Sequence, residues 1–135
     1  MRIGTVAKRS GVSAKTIRYY EEIGLIHPAK RGKNGYREYS VRDVEILRFI
    51  HRARSLGFSV RDVSGLLSLW LDRKRLSANV KALAKKHLEN IDERIQQLES
   101  IRTTLLELVE RCHGDNRPAC PILEDLAREE GGVYR

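Results

Sequence analysis

The chain has no apolar run approaching the roughly 20 residues needed to cross a bilayer, and this excludes a transmembrane span. Its N-terminal stretch, MRIGTVAKRSGVS, has no apolar segment resembling a secretory signal, so a cytoplasmic protein without a membrane partner is expected. Cysteine is scarce, with only Cys112 and Cys120 in 135 residues. In a reducing compartment such thiols are ligands, redox centres or bystanders rather than a structural disulfide. The chain also lacks a Gly-rich phosphate-binding loop and a convincing set of nucleophile, base and orienting group, so no enzyme is expected. At this length one compact domain, or a small domain with an extension, is the prior.

What the chain has in quantity is positive charge. Lys and Arg total 26 against 18 Asp and Glu, a formal net charge of +8. Through Arg75 there are 17 basic and 7 acidic residues, net +10; from Leu76 there are 9 and 11, net −2. A phosphate backbone would therefore meet its electrostatic footprint in the first half alone. Two modules with different tasks follow.

The first module reads as short helices between tight turns. Thr5, Val6 and Ala7 open one helix, Gly11 supplies a turn, and Ser13 caps a second helix with Ile17 and Tyr20 on one face. After Gly24 and Pro28, the Asn34–Gly35 pair lies between basic, aromatic arms and predicts a hairpin wing. Val44, Leu47 and Ile50 then repeat at helical spacing, Gly57 breaks the pattern, and Val63, Leu66 and Leu67 start another short helix. Trp70 falls in an apolar helix junction. In the second half, Ala84, Ile91, Leu98, Leu105 and Cys112 recur every seven residues, with Leu88, Ile95, Ile101 and Leu108 at alternate positions. This is coiled-coil patterning, and a second copy of the chain is the partner of matching length.

On the second helix, Lys15, Arg18 and Tyr19 share a face with Ala14, opposite Ile17 and Tyr20. Arg and Lys can bond phosphates or base edges, and Tyr adds a hydroxyl and a stacking surface. A solvated basic face would look the same on an isolated helix, but the wing adds Lys30, Arg31, Lys33, Tyr36, Arg37 and Tyr39 as a neighbouring basic and aromatic cluster. The segments TIRYYEEIGL and GYREYS resemble the winged helix-turn-helix of the MerR family of transcription regulators. The similarity continues through VRDVEILRFIHRARSLGFSVRDVSGLL and into the long helix.

The resemblance implies a mainly α fold: a winged helix-turn-helix DNA-binding domain over 1–75, a long dimerisation coiled-coil helix over 76–111, and a short metal-binding loop and C-terminal helix over 112–135. It further implies a homodimer on double-stranded promoter DNA that activates RNA polymerase by bending and untwisting an overlong spacer. Smooth bending of a short site costs on the order of 1–6 kcal/mol. By matching position, Lys15, Arg18 and Tyr19 would face the major groove, Arg31, Tyr36 and Arg37 the backbone beside the wing, and Arg54 a further phosphate.

The C-terminal RCHGDNRPACPILEDLAREE places seven residues between two thiols in a loop before a short apolar-faced helix. Such spacing is wider than CxxC, and no second pair completes a four-ligand shell. Soft thiolates favour Cu(I), and two of them suit a monovalent ion of low coordination. CHGDNRPACPI resembles the metal loop of the copper-efflux regulator (CueR) branch, which implies Cys112 and Cys120 as ligands of Cu(I), with Ag(I) and Au(I) as further ions. Ser77 matches a position where divalent-metal branches have Cys, and in the family picture it lies near the loop of the other subunit without binding the metal. A thiol redox-responsive or zinc-responsive regulator is the alternative. His113 is read as a solvated loop residue and His87 as a packed seam residue. The terminal GGVYR is expected to fray.

Overall fold

The structure is a computed structural model and describes residues 1–115 and 117–128. The expectation for GGVYR thus lies outside the described residues. Two compact units are present, Met1–Lys85 and a second beginning at Lys86.

In the first unit, helix α1 (Ile3–Ser10) stops at Gly11, whose φ of 79° continues the chain in the left-handed region while its N–H bonds Ala7 O. Ser13 then starts α2 (Ala14–Glu22), its hydroxyl accepting from Thr16 N at 3.1 Å. The same logic starts α3 (Val41–Ser55) and α4 (Val60–Leu71): Ser40 and Asp43 form a reciprocal capping box, and Ser59 accepts from Asp62 N. Each such cap is worth about 1 kcal/mol.

Two helices end by one device. Gly24 follows α2 at φ 78°, and Leu25 N bonds back to Tyr20 O; Gly57 follows α3 at φ 87°, and Phe58 N bonds back to Ala53 O. A left-handed glycine followed by an apolar residue satisfies the last carbonyls and turns the chain inward. Phe58 is buried and Leu25 packs against the core. The expected helix, turn, helix order is therefore present twice.

Between the two pairs lies the wing. Strands β1 (Lys30–Arg31) and β2 (Arg37–Glu38) pair antiparallel, Lys30 opposite Glu38 and Arg31 opposite Arg37. Gly32 N bonds Tyr36 O at 2.8 Å, Gly35 N bonds Gly32 O at 3.0 Å, and Gly35 has a φ of 79°. The Asn34–Gly35 pair thus closes the hairpin through a three-residue loop with glycine at its left-handed position.

One core unites these elements. Val6, Ile17, Val44, Leu47, Ile50 and Val63 are fully buried, three from α3 and one from each of α1, α2 and α4, and α3 packs on both α1 and α4. Each such side chain contributes about 1.5–3 kcal/mol by burial. Trp70 stacks on Phe49 with ring centres 4.6 Å apart and planes 4° apart, and Arg42 lies over its ring at 4.9 Å. This is an α3–α4 contact, and Trp70 packs against the core of the first unit.

Helix α5 (Ser77–Arg111) is long and unbroken. Leu83 packs on the core of the first unit. In the second unit, Leu88, Ile95, Leu98 and Leu105 are exposed, whereas Leu108 is 3% exposed. There the chain turns back: Leu108 and Arg111 share a cleft of about 210 Å³ with Pro121, Glu124 and Asp125 of helix α6 (Pro121–Leu126). No helix among the described residues is long and apolar enough to cross a membrane.

Candidate nucleic-acid interface and thiol pair

Helix α2 is amphipathic by construction. Ile17 and Tyr20 enter the core, so Lys15, Arg18 and Tyr19 are turned outward and exposed. Arg18 joins Arg2, Arg31, Tyr36 and Arg37 around a cleft of about 370 Å³ between the helix and the wing. Four guanidinium groups line it and no carboxylate does. Lys15 and Tyr19 lie outside that lining, on the exposed face of the same helix.

Local bonds set the wing's arginines in different ways. Arg31 donates to Gly35 O at 2.7 Å, bracing the hairpin loop. Arg37 reaches Glu21 Oε1 at 3.5 Å. Arg54 donates to Phe58 O at 2.8 Å across the turn after α3 and remains exposed. Each of the seven residues expected to meet DNA is therefore on the surface, and four of them, Arg18, Arg31, Tyr36 and Arg37, share one cleft.

Two participants escaped the sequence reading. Arg2 lies 3.9 Å over the ring of Tyr36. The start of the chain reaches the wing because Tyr39 N bonds Met1 O at 2.8 Å, a pairing that leaves no sequence pattern. The second is Glu21, a buried carboxylate whose Oε1 accepts from the Tyr39 hydroxyl at 2.6 Å and whose Oε2 accepts from Ala29 N at 3.1 Å. Its spacing from Ile17, one helical turn, was the available signal, for it puts a charge on the buried face. Burial, reinforced by the bond to Glu21, pushes the Tyr39 hydroxyl up to about 12.

In the second unit, Cys112 follows the last turn of α5, its N–H bonding Leu108 O at 3.1 Å, and Cys120 immediately precedes α6. Both are half-buried free thiols. The Leu123 amide, then that of Ile122 and the Cys112 thiol, hold Cys120 below the usual thiol range, against opposing burial and the Glu124 carboxylate. These amides approach the sulfur without completing a well-aligned cap. Between the cysteines, Asp115 accepts from Arg117 N at 2.9 Å and Arg117 Nε at 2.8 Å. His113 is exposed, as expected of a solvated loop residue. Among the described residues no three His, Cys, Asp or Glu side chains converge as a ligand set. Ser77 occupies the first turn of α5, in the first unit.

Comparison with known proteins agrees with this architecture. Residues 1–70 match the family described as MerR HTH family regulatory protein, and residues 44–108 match MerR, DNA binding. The chain is 54% identical to an uncharacterised HTH-type transcriptional regulator, PA4778, of Pseudomonas aeruginosa, over 94% of this chain and 96% of the relative. It is 51% identical to the regulator HmrR of Sinorhizobium medicae, covering 98% and 90%, and 39% identical to CueR of Salmonella typhimurium, covering 94% and 92%. Among solved structures, the transcription regulator PbrR691 from Ralstonia metallidurans in complex with lead(II) superposes with a TM-score of 0.81 at 28% identity, covering 94% of this chain and 99% of that one. The regulator MerR from Bacillus megaterium in complex with mercury(II) gives 0.71 at 32% identity, covering 95% and 100%.

Proposed function

Because the chain belongs to the MerR family of helix-turn-helix regulatory proteins, we propose that it is a metal-responsive transcription regulator that binds promoter DNA as a homodimer and answers Cu(I) through Cys112 and Cys120. The observation that carries the metal reading is the placement of the two thiols, Cys112 at the end of α5 and Cys120 at the start of α6, where Leu108 and Arg111 share a cleft with Pro121. The donor set fits the ion: two soft sulfur ligands at neighbouring positions favour Cu(I), and Ag(I) and Au(I) share its softness. Ser77 brings a hydroxyl rather than a third thiolate, which supports discrimination against divalent ions. The relatives solved in complex with lead(II) and mercury(II) support a metal as the effector.

On the DNA side, Lys15, Arg18 and Tyr19 read the major groove while Arg31, Tyr36 and Arg37 hold the flanking backbone, and Arg54 adds a phosphate contact. The division suits their placement, since an exposed helix face can enter a groove and a hairpin can follow the backbone. The exposed row of Leu88, Ile95, Leu98 and Leu105 supports dimerisation, because an apolar stripe of this kind needs a facing surface. Cys112 and Cys120 would hold the metal, which would tie the two ends of the 112–120 loop together. The effector-loaded dimer then bends and untwists an overlong promoter spacer so that RNA polymerase can engage it.

Anaerobic titration of the reduced protein with Cu(I), Ag(I), Zn(II) and Hg(II), against a chelator of known affinity, tests the metal reading. Tight monovalent binding that disappears in the Cys112→Ser, Cys120→Ser double variant is expected. Cysteine-dependent Zn(II) binding that outcompetes Cu(I) would replace it with the zinc-responsive reading. A promoter response to peroxide that survives copper chelation would replace it with the redox one.

A further inference from the structure

We infer that Glu21 is a positioning residue for DNA binding: it anchors the wing to α2 and holds Arg37 ready for transfer to a backbone phosphate. The inference rests on the proposed DNA-binding role and concerns a residue outside the set assigned to contact DNA. Glu21 lies at the C-terminal turn of α2, 8% exposed, and its carboxylate is already held without Arg37. Oε1 takes the Tyr39 hydroxyl at 2.6 Å and Oε2 takes Ala29 N at 3.1 Å. Those two bonds come from either side of β1 and β2, so one carboxylate ties the recognition helix to both ends of the hairpin.

The third partner is different in kind. Arg37 approaches Oε1 at 3.5 Å, longer than the 2.7–2.9 Å of a strong charge-assisted bond, and its side chain is 42% exposed against 5% for Glu21. The arginine is thus the member that can leave. Removing the partner of a buried charge ordinarily leaves it uncompensated at high cost. Here the Tyr39 and Ala29 bonds remain when Arg37 departs, so the cost of release is low. Arg37 also lines the cleft shared with Arg2, Arg18 and Arg31, where a phosphate would meet converging guanidinium groups. A loose ion pair that orients an arginine at the edge of such a cleft limits its rotamers before DNA arrives, yet yields to a phosphate that offers better geometry.

The full chain, titrated with a duplex that the native protein has selected from a random-sequence pool, supplies the test. Glu21→Gln removes a negative charge near the polyanion, so charge alone would tighten binding. Loss of positioning instead weakens it by roughly tenfold, with a plot of log affinity against log salt shallower by about 0.9, the share of one phosphate. Arg37→Ala should do the same, and the double variant should be no weaker than either single variant. Tyr39→Phe, which keeps the carboxylate charged, controls for loss of structure and should retain the native salt slope. Tighter binding by Glu21→Gln, additive losses in the double variant, or the same slope change in Tyr39→Phe would overturn the inference. Failure of the native protein to select any duplex would instead refute the DNA-binding role itself.

Discussion

The Arg2 guanidinium lies 3.9 Å from the centre of the Tyr36 ring, stacking the start of the chain on the wing. Both residues line the arginine cleft, so the contact shields one face of the ring and keeps a positive charge beside the recognition helix. An exposed cation–π pair contributes about 0.5–1 kcal/mol. Arg2→Ala is therefore expected to weaken DNA binding by at least two- to fivefold with little change in melting temperature. Unaltered affinity in a fluorescence-anisotropy titration would remove Arg2 from the interface.

Tyr39 makes stability depend on alkaline pH. Its folded hydroxyl titrates near 12 rather than at the usual 10.0, so the folded state holds the proton more tightly than the unfolded state. The associated stabilisation is complete below pH 10 and is lost as pH rises through 12. Tyr39→Phe should cost about 1–3 kcal/mol near neutral pH by depriving Glu21 of a partner. Urea unfolding measured from pH 8 upward should show the native protein losing stability more steeply above pH 10 than this variant does. Parallel curves would contradict the assignment.

The wing has one position where an added methyl group would force a neighbouring side chain to move. A Cβ on Gly32 would stand 2.8 Å from Glu38 Cγ, inside the hairpin. Overpacking of this order costs about 1–3 kcal/mol, and the β1–β2 pair can relieve it by opening. Gly32→Ala should weaken DNA binding while leaving the helical core nearly as resistant to heat. Native affinity would show that the wing's geometry does not matter for binding.

Leu98 is 63% exposed on α5. If the exposed row is the dimer seam, Leu98→Glu buries charge against a facing helix and should shift the protein to monomer in sedimentation at micromolar concentration. The first unit should keep its native circular dichroism and thermal transition. A dimer that survives this change would place the subunit contact elsewhere.

Local grammar made much of this fold legible. Ser13, Ser40 and Ser59 each precede a helix by the spacing a capping hydroxyl requires, and Gly11 and Gly57 each stand where a chain must take a left-handed turn. The heptad rows forecast the extent of α5 because their period is a property of the helix itself. The basic face of α2 was readable for the same reason. What could not be read were contacts across sequence distance: Arg2 on Tyr36, and Glu21 beneath Tyr39, 18 residues later. TIRYYEEIGL contains two adjacent glutamates of equal chemistry; the spacing from Ile17 puts Glu21 on the buried face, but its partners Tyr39 and Ala29 emerge only in the packed structure. Leu108 likewise follows the same repeat as Leu98, yet it is buried because the chain returns over it after Cys112.

The buried core of the first unit closes within Val6–Leu67, drawing none of its fully enclosed side chains from α5 or beyond. Substitutions in the thiol loop can therefore accumulate without weakening the part that reads DNA. With the thiol loop as the proposed sensing site, a lineage could retune the chemical signal it answers by drift at a handful of loop positions, with the genomic address unchanged.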